Sequence, residues 1–130
     1  MIPLSFAQQR LWFLSRLEGL SGTYNMAMPL RLSGALDREA LRLTLQDVME
    51  RHESLRTLIA EAGGEPVQQI LDPAGLTVDF QELSVAGEQE LAALLTAEGS
   101  RGFDLSADLP LRARLFAVSE TEHVLLLVVH

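Results

Sequence analysis

Helical spacing of apolar residues occurs in three stretches of the chain. The first starts at Ser5, which forms a capping-box pattern with Gln8, and Gly19 and Ser21-Gly22 are expected to end it. The second follows Asp37 and runs to about Arg51, and the third covers Glu88–Ser100. The predicted apolar faces are, in turn, Ala7, Leu11, Leu14 and Leu17; Leu41, Leu45, Val48 and Met49; and Leu91, Leu94 and Leu95.

Strand-like patterns occur in six further stretches, namely Asn25–Ser33, Leu55–Ala60, Val67–Leu71, Thr77–Gln81, Leu111–Val118 and His123–Val129. The first alternates Met26, Met28, Leu30 and Leu32 with less apolar residues and is expected to be half-buried. Pro29 cannot donate a backbone hydrogen bond, so this strand should lie at a sheet edge or carry a bulge. The Gly63-Gly64 pair predicts a hairpin, and the final apolar run predicts a strand buried on both faces.

The element order predicts an α/β fold, more closely an α+β two-layer sandwich in which a mixed sheet is covered by helices. A chain of 130 residues suits a single domain with a real core. It carries 18 acidic residues against 10 basic ones, all arginine, which argues against a nucleic-acid partner. The chain has no cysteine, and its longest apolar run is too short for a membrane span. We therefore expect a cytoplasmic location and no membrane partner.

Two stretches have the residue types that binding or catalysis uses. Ser5–Leu14 contains Arg10 and the only tryptophan, Trp12, although an aromatic on a helix is most often a core residue. Arg51–Thr57 places Arg51, His52, Glu53 and Arg56 where a helix gives way to a strand. One interpretation is solvated capping, because Arg51 and His52 suit the end of a helix. The other is that an arginine, Arg56, turns inward to pair with a carboxylate.

His130 follows the most apolar strand, and sheet proteins often place active residues at such strand ends. The alternative is an ordinary strand-end histidine. No spacing of histidine, aspartate and glutamate indicates a metal site, and no phosphate-binding or serine-nucleophile motif occurs. Because termini are normally exposed and loosely held, an end beside a buried strand favours a fragment of a longer protein. The alternative is a strand that ends in water at the sheet's rim.

Taken together, these stretches resemble the N-terminal part of the condensation domain of non-ribosomal peptide synthetases. Ser5–Leu14 is similar to the family's first core motif, and Arg51–Thr57 matches its second nearly letter for letter. Shorter matches are Tyr24-Asn25, Leu36–Leu41, Phe103–Leu105 and Pro110–Ala113. His130 matches the first histidine of a third motif, His-His-x-x-x-Asp-Gly, whose second and main catalytic histidine is not in the chain.

The resemblance implies a chloramphenicol acetyltransferase-like N-terminal lobe over residues 1–130. The complete domain has two such lobes with a tunnel between them. It joins a donor acyl or peptidyl thioester to the amine of an acceptor aminoacyl thioester. Both substrates are carried on the 4'-phosphopantetheine of carrier proteins, so no cofactor is bound directly. The implied partners are donor and acceptor carrier proteins and an adjacent adenylation domain.

The sequence leaves several alternatives open. The chain is either an enzyme part or an inactive scaffold or carrier-docking module. The parent is either a condensation domain, an epimerisation domain or another acyltransferase of the same fold. The resemblance implies that Arg56 pairs with the aspartate of the third motif, and that the chain alone is inactive. An uncovered sheet edge also predicts self-association of the chain.

Overall fold

The computed structural model describes residues 2–18 and 25–130. The predicted end of the first helix at Gly19 and Ser21-Gly22, and the motif residue Tyr24, lie outside these ranges. Within them the helices are α1 (Phe6–Glu18), α2 (Arg38–Arg51) and α3 (Glu88–Ser100). The strands are β1 (Ile2–Pro3), β2 (Met26–Ser33), β3 (Thr57–Ala62), β4 (Glu65–Ile70), β5 (Asp79–Ser84), β6 (Leu111–Ala117) and β7 (Glu122–Val129). The mixed α/β class is confirmed.

The larger sheet is built around β7. Its strand order is β2-β7-β6-β5, with all neighbours antiparallel except the parallel pair β5 and β6. β7 therefore has a paired strand on each side, and most of its side chains are buried, as its apolar sequence predicts. β2, which contains Pro29, lies at the edge of this sheet, so that prediction is also confirmed.

The two faces of this sheet carry different cores, because successive residues of a strand point to opposite sides. One face packs Leu45 and Met49 of α2 against strand residues such as Leu115. The other packs Leu91 of α3 against residues such as Phe116. α2 and α3 therefore cover opposite faces of this sheet.

The face toward α3 also buries an arginine, Arg114, whose side chain is only 1% exposed. Its Nη1 lies 2.9 Å from Oδ1 of Asp79, and its Nε lies 3.3 Å from Oε2 of Glu98. Two carboxylates therefore flank this cation, which would be costly to bury without a partner.

A second, three-stranded sheet has the order β1-β4-β3. The predicted hairpin is confirmed, and Gly63 and Gly64 have φ values of 62° and 83° that suit glycine. α1 contacts this sheet through polar groups, since Nε2 of Gln68 donates to Oε1 of Gln8 at 2.9 Å. The prediction of a single sheet is therefore wrong, because the hairpin satisfies its backbone groups internally and with β1.

Two predicted strands begin later than expected, each for a local reason. Leu55 and Arg56 belong to a 3-10 turn, Glu53–Arg56, and β3 begins only at Thr57. The backbone from 76 to 78 bonds to α2 instead of to a strand. There Gln46 accepts from the Val78 N–H at 2.8 Å and donates to the Leu76 carbonyl at 2.7 Å. β5 consequently starts at Asp79.

Two apolar faces are more exposed than the pattern predicts. On β2, Met26, Met28 and Leu30 are 64%, 42% and 48% exposed, because the core under α2 reaches only Leu32 on this edge strand. On α1, Ala7 and Leu17 are exposed, and no described residue of the helix is fully buried. The predictions of a half-buried β2 and of a continuous apolar face on α1 are therefore wrong.

In the part of the chain that the structure describes, no helix combines the length and the apolar character needed to cross a bilayer.

Replacing a core residue of α2 tests this packing. Met49 is 1% exposed, so Met49→Ala should lower the free energy of unfolding by about 2–5 kcal/mol. Leu43→Ala on the same helix is the matched control. Leu43 is 52% exposed, and its replacement should change stability by no more than about 0.5 kcal/mol. Urea denaturation followed by circular dichroism measures both, and equal losses would contradict the placement of α2.

Candidate functional site

One cavity brings together side chains from four separated parts of the chain. Its volume is about 190 Å³, and it lies between α1, the start of β3, the segment from 103 to 110 and the end of β7. Its lining residues are Gln8, Leu11, Ser54, Thr57, Ile59, Phe103, Leu105, Asp108, Pro110 and His130. Each of the four parts contains residues from a stretch singled out in the sequence.

The capping box at the start of α1 fixes the first wall of the cavity. The Ser5 N–H donates to Oε1 of Gln8 at 2.8 Å, and the Gln8 N–H donates to Oγ of Ser5 at 3.2 Å. This confirms the predicted pattern and holds the Gln8 side chain beside the cavity. Leu11, one turn later on the same helix, reaches the same wall.

The two residues proposed from this helix, Arg10 and Trp12, do not line this cavity. Arg10 is exposed. Trp12 is half-buried with the guanidinium of Arg16 5.2 Å from the centre of its ring, and it faces a neighbouring hollow. Trp12 is therefore not a fully buried core residue.

Arg56 turns inward, as predicted, and is 7% exposed. Its Nε donates to the Met49 carbonyl at 3.2 Å and its Nη1 to the Leu71 carbonyl at 2.6 Å. Within residues 2–18 and 25–130 these carbonyls, and no carboxylate, are its recorded partners. The guanidinium thus connects the end of α2 to the residue that follows β4, the second strand of the hairpin, because both carbonyls accept from it.

The other residues of this motif are solvated, which favours the capping interpretation for them. Arg51 is exposed and lies 3.1 Å from the carboxylate of Asp47, one turn earlier on α2. His52 ends the helix, and its N–H donates to the Val48 carbonyl at 3.1 Å. Glu53 is exposed in the 3-10 turn. Ser54 and Thr57 are the motif residues that reach the cavity.

A tight turn forms another wall of the cavity. The Ser106 hydroxyl donates to Oδ1 of Asp104 at 2.6 Å, and the Ser106 N–H donates to it at 3.0 Å. These bonds, the hydroxyl first, lower the pKa of the Asp104 carboxyl. The Asp104 N–H in turn donates to Oδ2 of Asp108 at 2.8 Å. This turn presents Leu105 and Asp108 to the cavity.

His130 stands at the end of β7, on the cavity wall. Its N–H donates to the Pro110 carbonyl at 3.0 Å, and its ring meets the ring of Phe103 edge-on at 5.7 Å between centres. Burial lowers the pKa of the imidazole below its ordinary value of 6.5, because the charged form loses hydration. At neutral pH the ring is therefore uncharged and can accept a hydrogen bond at one nitrogen.

Sequence reasoning identified the motifs but missed which of their residues meet. Gln8, Ser54, Phe103 and Asp108 were not proposed as site residues. A signal was available for Phe103, since it opens the Phe103–Leu105 match, but its contact with His130 spans 27 residues. No group of three residues able to hold a metal ion occurs in the part of the chain that the structure describes.

Known proteins match this chain along essentially its whole length. The family model for the condensation domain matches residues 1–130. The chain is 52% identical over 130 residues to a probable non-canonical nonribosomal peptide synthetase, CymA, of Salinispora arenicola. It is 47% identical over 129 residues to a dimodular nonribosomal peptide synthase of Bacillus subtilis. These alignments cover 100% and 99% of the chain but only 2% and 5% of the two proteins.

Solved structures agree with this fold. The X-domain from teicoplanin biosynthesis matches with a TM-score of 0.87 and 41% identity, over 98% of this chain and 27% of that one. The starter condensation domain of the rhizomide synthetase RzmA matches with a TM-score of 0.87 at 20% identity, over 99% of this chain and 32% of that one. The second likeness concerns the fold alone.

The buried Arg56 is tested by Arg56→Met, which keeps the apolar stem and leaves two carbonyls without their donor. We expect the free energy of unfolding to fall by about 1–3 kcal/mol. Arg51→Met in the same motif is the control and should change it by no more than about 0.5 kcal/mol. Urea denaturation checks both, and a loss at Arg51 as large as that at Arg56 would contradict the inward position of Arg56.

The lowered pKa of His130 predicts a specific pH dependence. The unfolded chain takes up a proton near pH 6.5, whereas the folded chain does so only at lower pH. The contribution of His130 to stability is therefore largest above 6.5 and is lost as the pH falls toward its folded pKa. NMR titration of the His130 ring should place its pKa below 6.5. The His130→Asn chain should lack this part of the pH dependence, and an unchanged profile would argue against burial of the ring.

Proposed function

Because this chain belongs to the condensation-domain family of non-ribosomal peptide synthetases, we propose that it forms most of the N-terminal lobe of such a domain. The whole domain would join a donor acyl or peptidyl thioester to the amine of an acceptor aminoacyl thioester. The observation that carries the proposal is the cavity beside His130. Both long motifs, the Phe103–Asp108 segment and the end of β7 all contribute side chains to it.

The reaction requires a neutral amine beside an activated carbonyl. The amine nitrogen bonds to the thioester carbon, the carbon–sulfur bond breaks, and the proton lost by nitrogen balances the departing thiolate as a thiol. A partly enclosed cavity with a largely apolar lining favours neutral groups, since burial penalises charge. Holding both reactants in one orientation lowers the barrier further by removing the entropy of their encounter.

His130 is proposed as the first histidine of the third family motif. Its imidazole, neutral at pH 7, would line the tunnel and accept a hydrogen bond there. The main catalytic histidine would be the residue that follows, outside this chain. Residues 1–130 alone are therefore proposed to be inactive, while the complete domain is an acyltransferase.

Arg56 is proposed as a structural residue of the complete lobe. Two backbone carbonyls already hold its guanidinium in place, so the cation is positioned before any carboxylate reaches it. The aspartate of the third motif would supply the negative charge. Removing one member of such a buried pair costs about 3–5 kcal/mol, so Arg56→Ala should destabilise the complete domain by more than it destabilises this chain.

The substrates would be delivered as thioesters on the 4'-phosphopantetheine arms of carrier proteins. Donor and acceptor carrier proteins, and an adenylation domain in the same polypeptide, are the proposed partners. Four residues of the two long motifs are exposed, namely Arg10, Arg51, His52 and Glu53. We propose that they form part of the solvated surface of the domain and take no part in the reaction.

A second candidate is a non-catalytic docking module. The observation that favours it is the 40% identity to the X-domain of teicoplanin biosynthesis, which has been solved in complex with OxyB. In this alternative the fold recruits a partner protein, and the cavity performs no chemistry.

One assay separates the two candidates. A longer protein that continues through the third motif and the C-terminal lobe is supplied with a loaded donor carrier and a loaded acceptor carrier. Mass spectrometry should detect the dipeptidyl carrier product, and replacing the histidine after His130 by alanine should abolish it. Product at an unchanged rate would overturn the mechanistic role of that histidine.

The docking alternative has its own readout. NMR titration of the 130-residue chain with an unloaded carrier protein reports which surface it contacts. Chemical-shift changes on α1 without any product from the longer protein would favour docking. Product formation by the longer protein would instead favour catalysis, whatever the carrier contacts on this chain.

A further inference from the structure

Phe103 is a buried aromatic residue that reaches His130 from a distant part of the chain. It follows α3, is 3% exposed, and lines the cavity together with His130. The two rings meet at 71° with their centres 5.7 Å apart. Edge-to-face pairs of this kind are favourable beyond the area they bury, so the contact favours one orientation of the imidazole.

Phe103 is itself held by a cation. The Cζ atom of Arg112 lies 3.9 Å from the centre of the Phe103 ring, and the Arg112 side chain is 5% exposed. A guanidinium above an aromatic face is attracted by the ring's quadrupole, and the attraction strengthens when both groups are desolvated. Arg112 thus restrains the ring that touches His130.

Hydrogen bonds to the end of α3 keep Arg112 in place. Its Nη2 donates to the Arg101 carbonyl, and its Nη1 donates to the Gly102 carbonyl at 3.4 Å. A cation at the C-terminal end of a helix also interacts favourably with the helix dipole. The recorded ion pairs within residues 2–18 and 25–130 give Arg112 no carboxylate, in contrast to Arg114 on the same face of β6.

We propose that Arg112 and Phe103 are positioning residues that hold the His130 ring against the cavity wall, in the order Arg112, Phe103, His130. The stack connects α3 and β6 to the end of β7. Its orienting role does not depend on the reaction, whereas its effect on turnover rests on the proposed condensation function.

The contact with Phe103 is the main restraint on the orientation of the His130 ring. Among the described residues that line the cavity, Asp108 is the acidic one, and Gln8, Ser54 and Thr57 are uncharged polar residues. No side-chain hydrogen bond of His130 is recorded among the described residues, and only its backbone N–H is bonded, to the Pro110 carbonyl. The backbone bond places the residue, and Phe103 orients its ring.

The first experiment reads the geometry directly by NMR on the 130-residue chain. Nuclear Overhauser effects between the Phe103 and His130 rings are expected in the unmodified chain. In Phe103→Leu the pKa of His130 should rise toward 6.5, since a smaller side chain admits water to the imidazole. Phe103→Tyr retains the ring and should restore the lowered value.

Matched controls separate positioning from stability. Phe116 is fully buried in the same core cluster as Phe103, so Phe116→Leu removes a comparable ring without touching His130. It should leave the His130 pKa unchanged. Arg112→Met should weaken the ring-to-ring Overhauser effects while Phe103 is still present. Arg101, which directly follows α3, has an exposed side chain, and Arg101→Met should leave these effects unchanged.

The second experiment measures turnover in the complete synthetase. Phe103→Leu should lower kcat by about 10- to 100-fold with little change in KM, because a misplaced site group loses alignment more than binding. Phe103→Tyr should recover most of the rate, and Phe116→Leu should stay within about twofold of the unmodified enzyme.

The outcomes distinguish this inference from the proposed function. Absence of Overhauser effects between the two rings, or equal pKa changes in Phe103→Leu and Phe116→Leu, overturns the positioning role. If the NMR results are as expected but the complete synthetase forms no peptide product, the positioning role stands and the condensation function fails. If Phe103→Leu does not fold, Arg112→Met and the unmodified chain still decide the outcome.

Discussion

The arrangement of this protein depends on the burial of β7 on both faces. An apolar strand of this kind needs a paired neighbour on each side and a covering helix on each face, and β2, β6, α2 and α3 supply them. Because β7 is central, its last residue is brought to a defined place at the end of the sheet. The hydrogen bond from the His130 N–H to the Pro110 carbonyl holds it there. The candidate site is therefore a consequence of the core and not an addition to it.

Three buried arginines illustrate how the same charge is accommodated in different ways. Arg114 lies between two carboxylates, Arg112 between a helix end and an aromatic ring, and Arg56 between two backbone carbonyls. Only the first has its charge neutralised within the described residues. Arginine tolerates this because its flat, delocalised cation bonds to carbonyls and stacks on rings as well as pairing with carboxylates. Arg56 and Arg112 lie next to residues that line the candidate site. Backbone carbonyls stabilise both cations, and the Phe103 ring also stabilises Arg112.

The cavity brings together family motifs that are far apart in the sequence. α1 contributes through a capping box, the 3-10 turn through Ser54, the Asp104 turn through Asp108, and β7 through His130. The capping box, the 3-10 turn and the Asp104 turn are stabilised by short-range hydrogen bonds, whereas β7 is held by its pairing with β2 and β6. The lining of the cavity therefore comes from several segments, and no single element supplies it.

Much of the local structure follows from the sequence, because caps, glycine turns and apolar periods act within a few residues. The Ser5–Gln8 box, the Asp37 cap, the Gly63-Gly64 hairpin and the bounds of α3 are examples, and even the edge position of β2 follows from Pro29. The motifs also identified the family, and an inward Arg56 was one of the two interpretations that the second motif left open. Only the tertiary structure decided that the hairpin forms a sheet of its own, that Met26 and Met28 remain exposed, and that Phe103 meets His130. These features depend on contacts between segments that are distant in the sequence, and a local pattern of residues does not specify which distant segments meet.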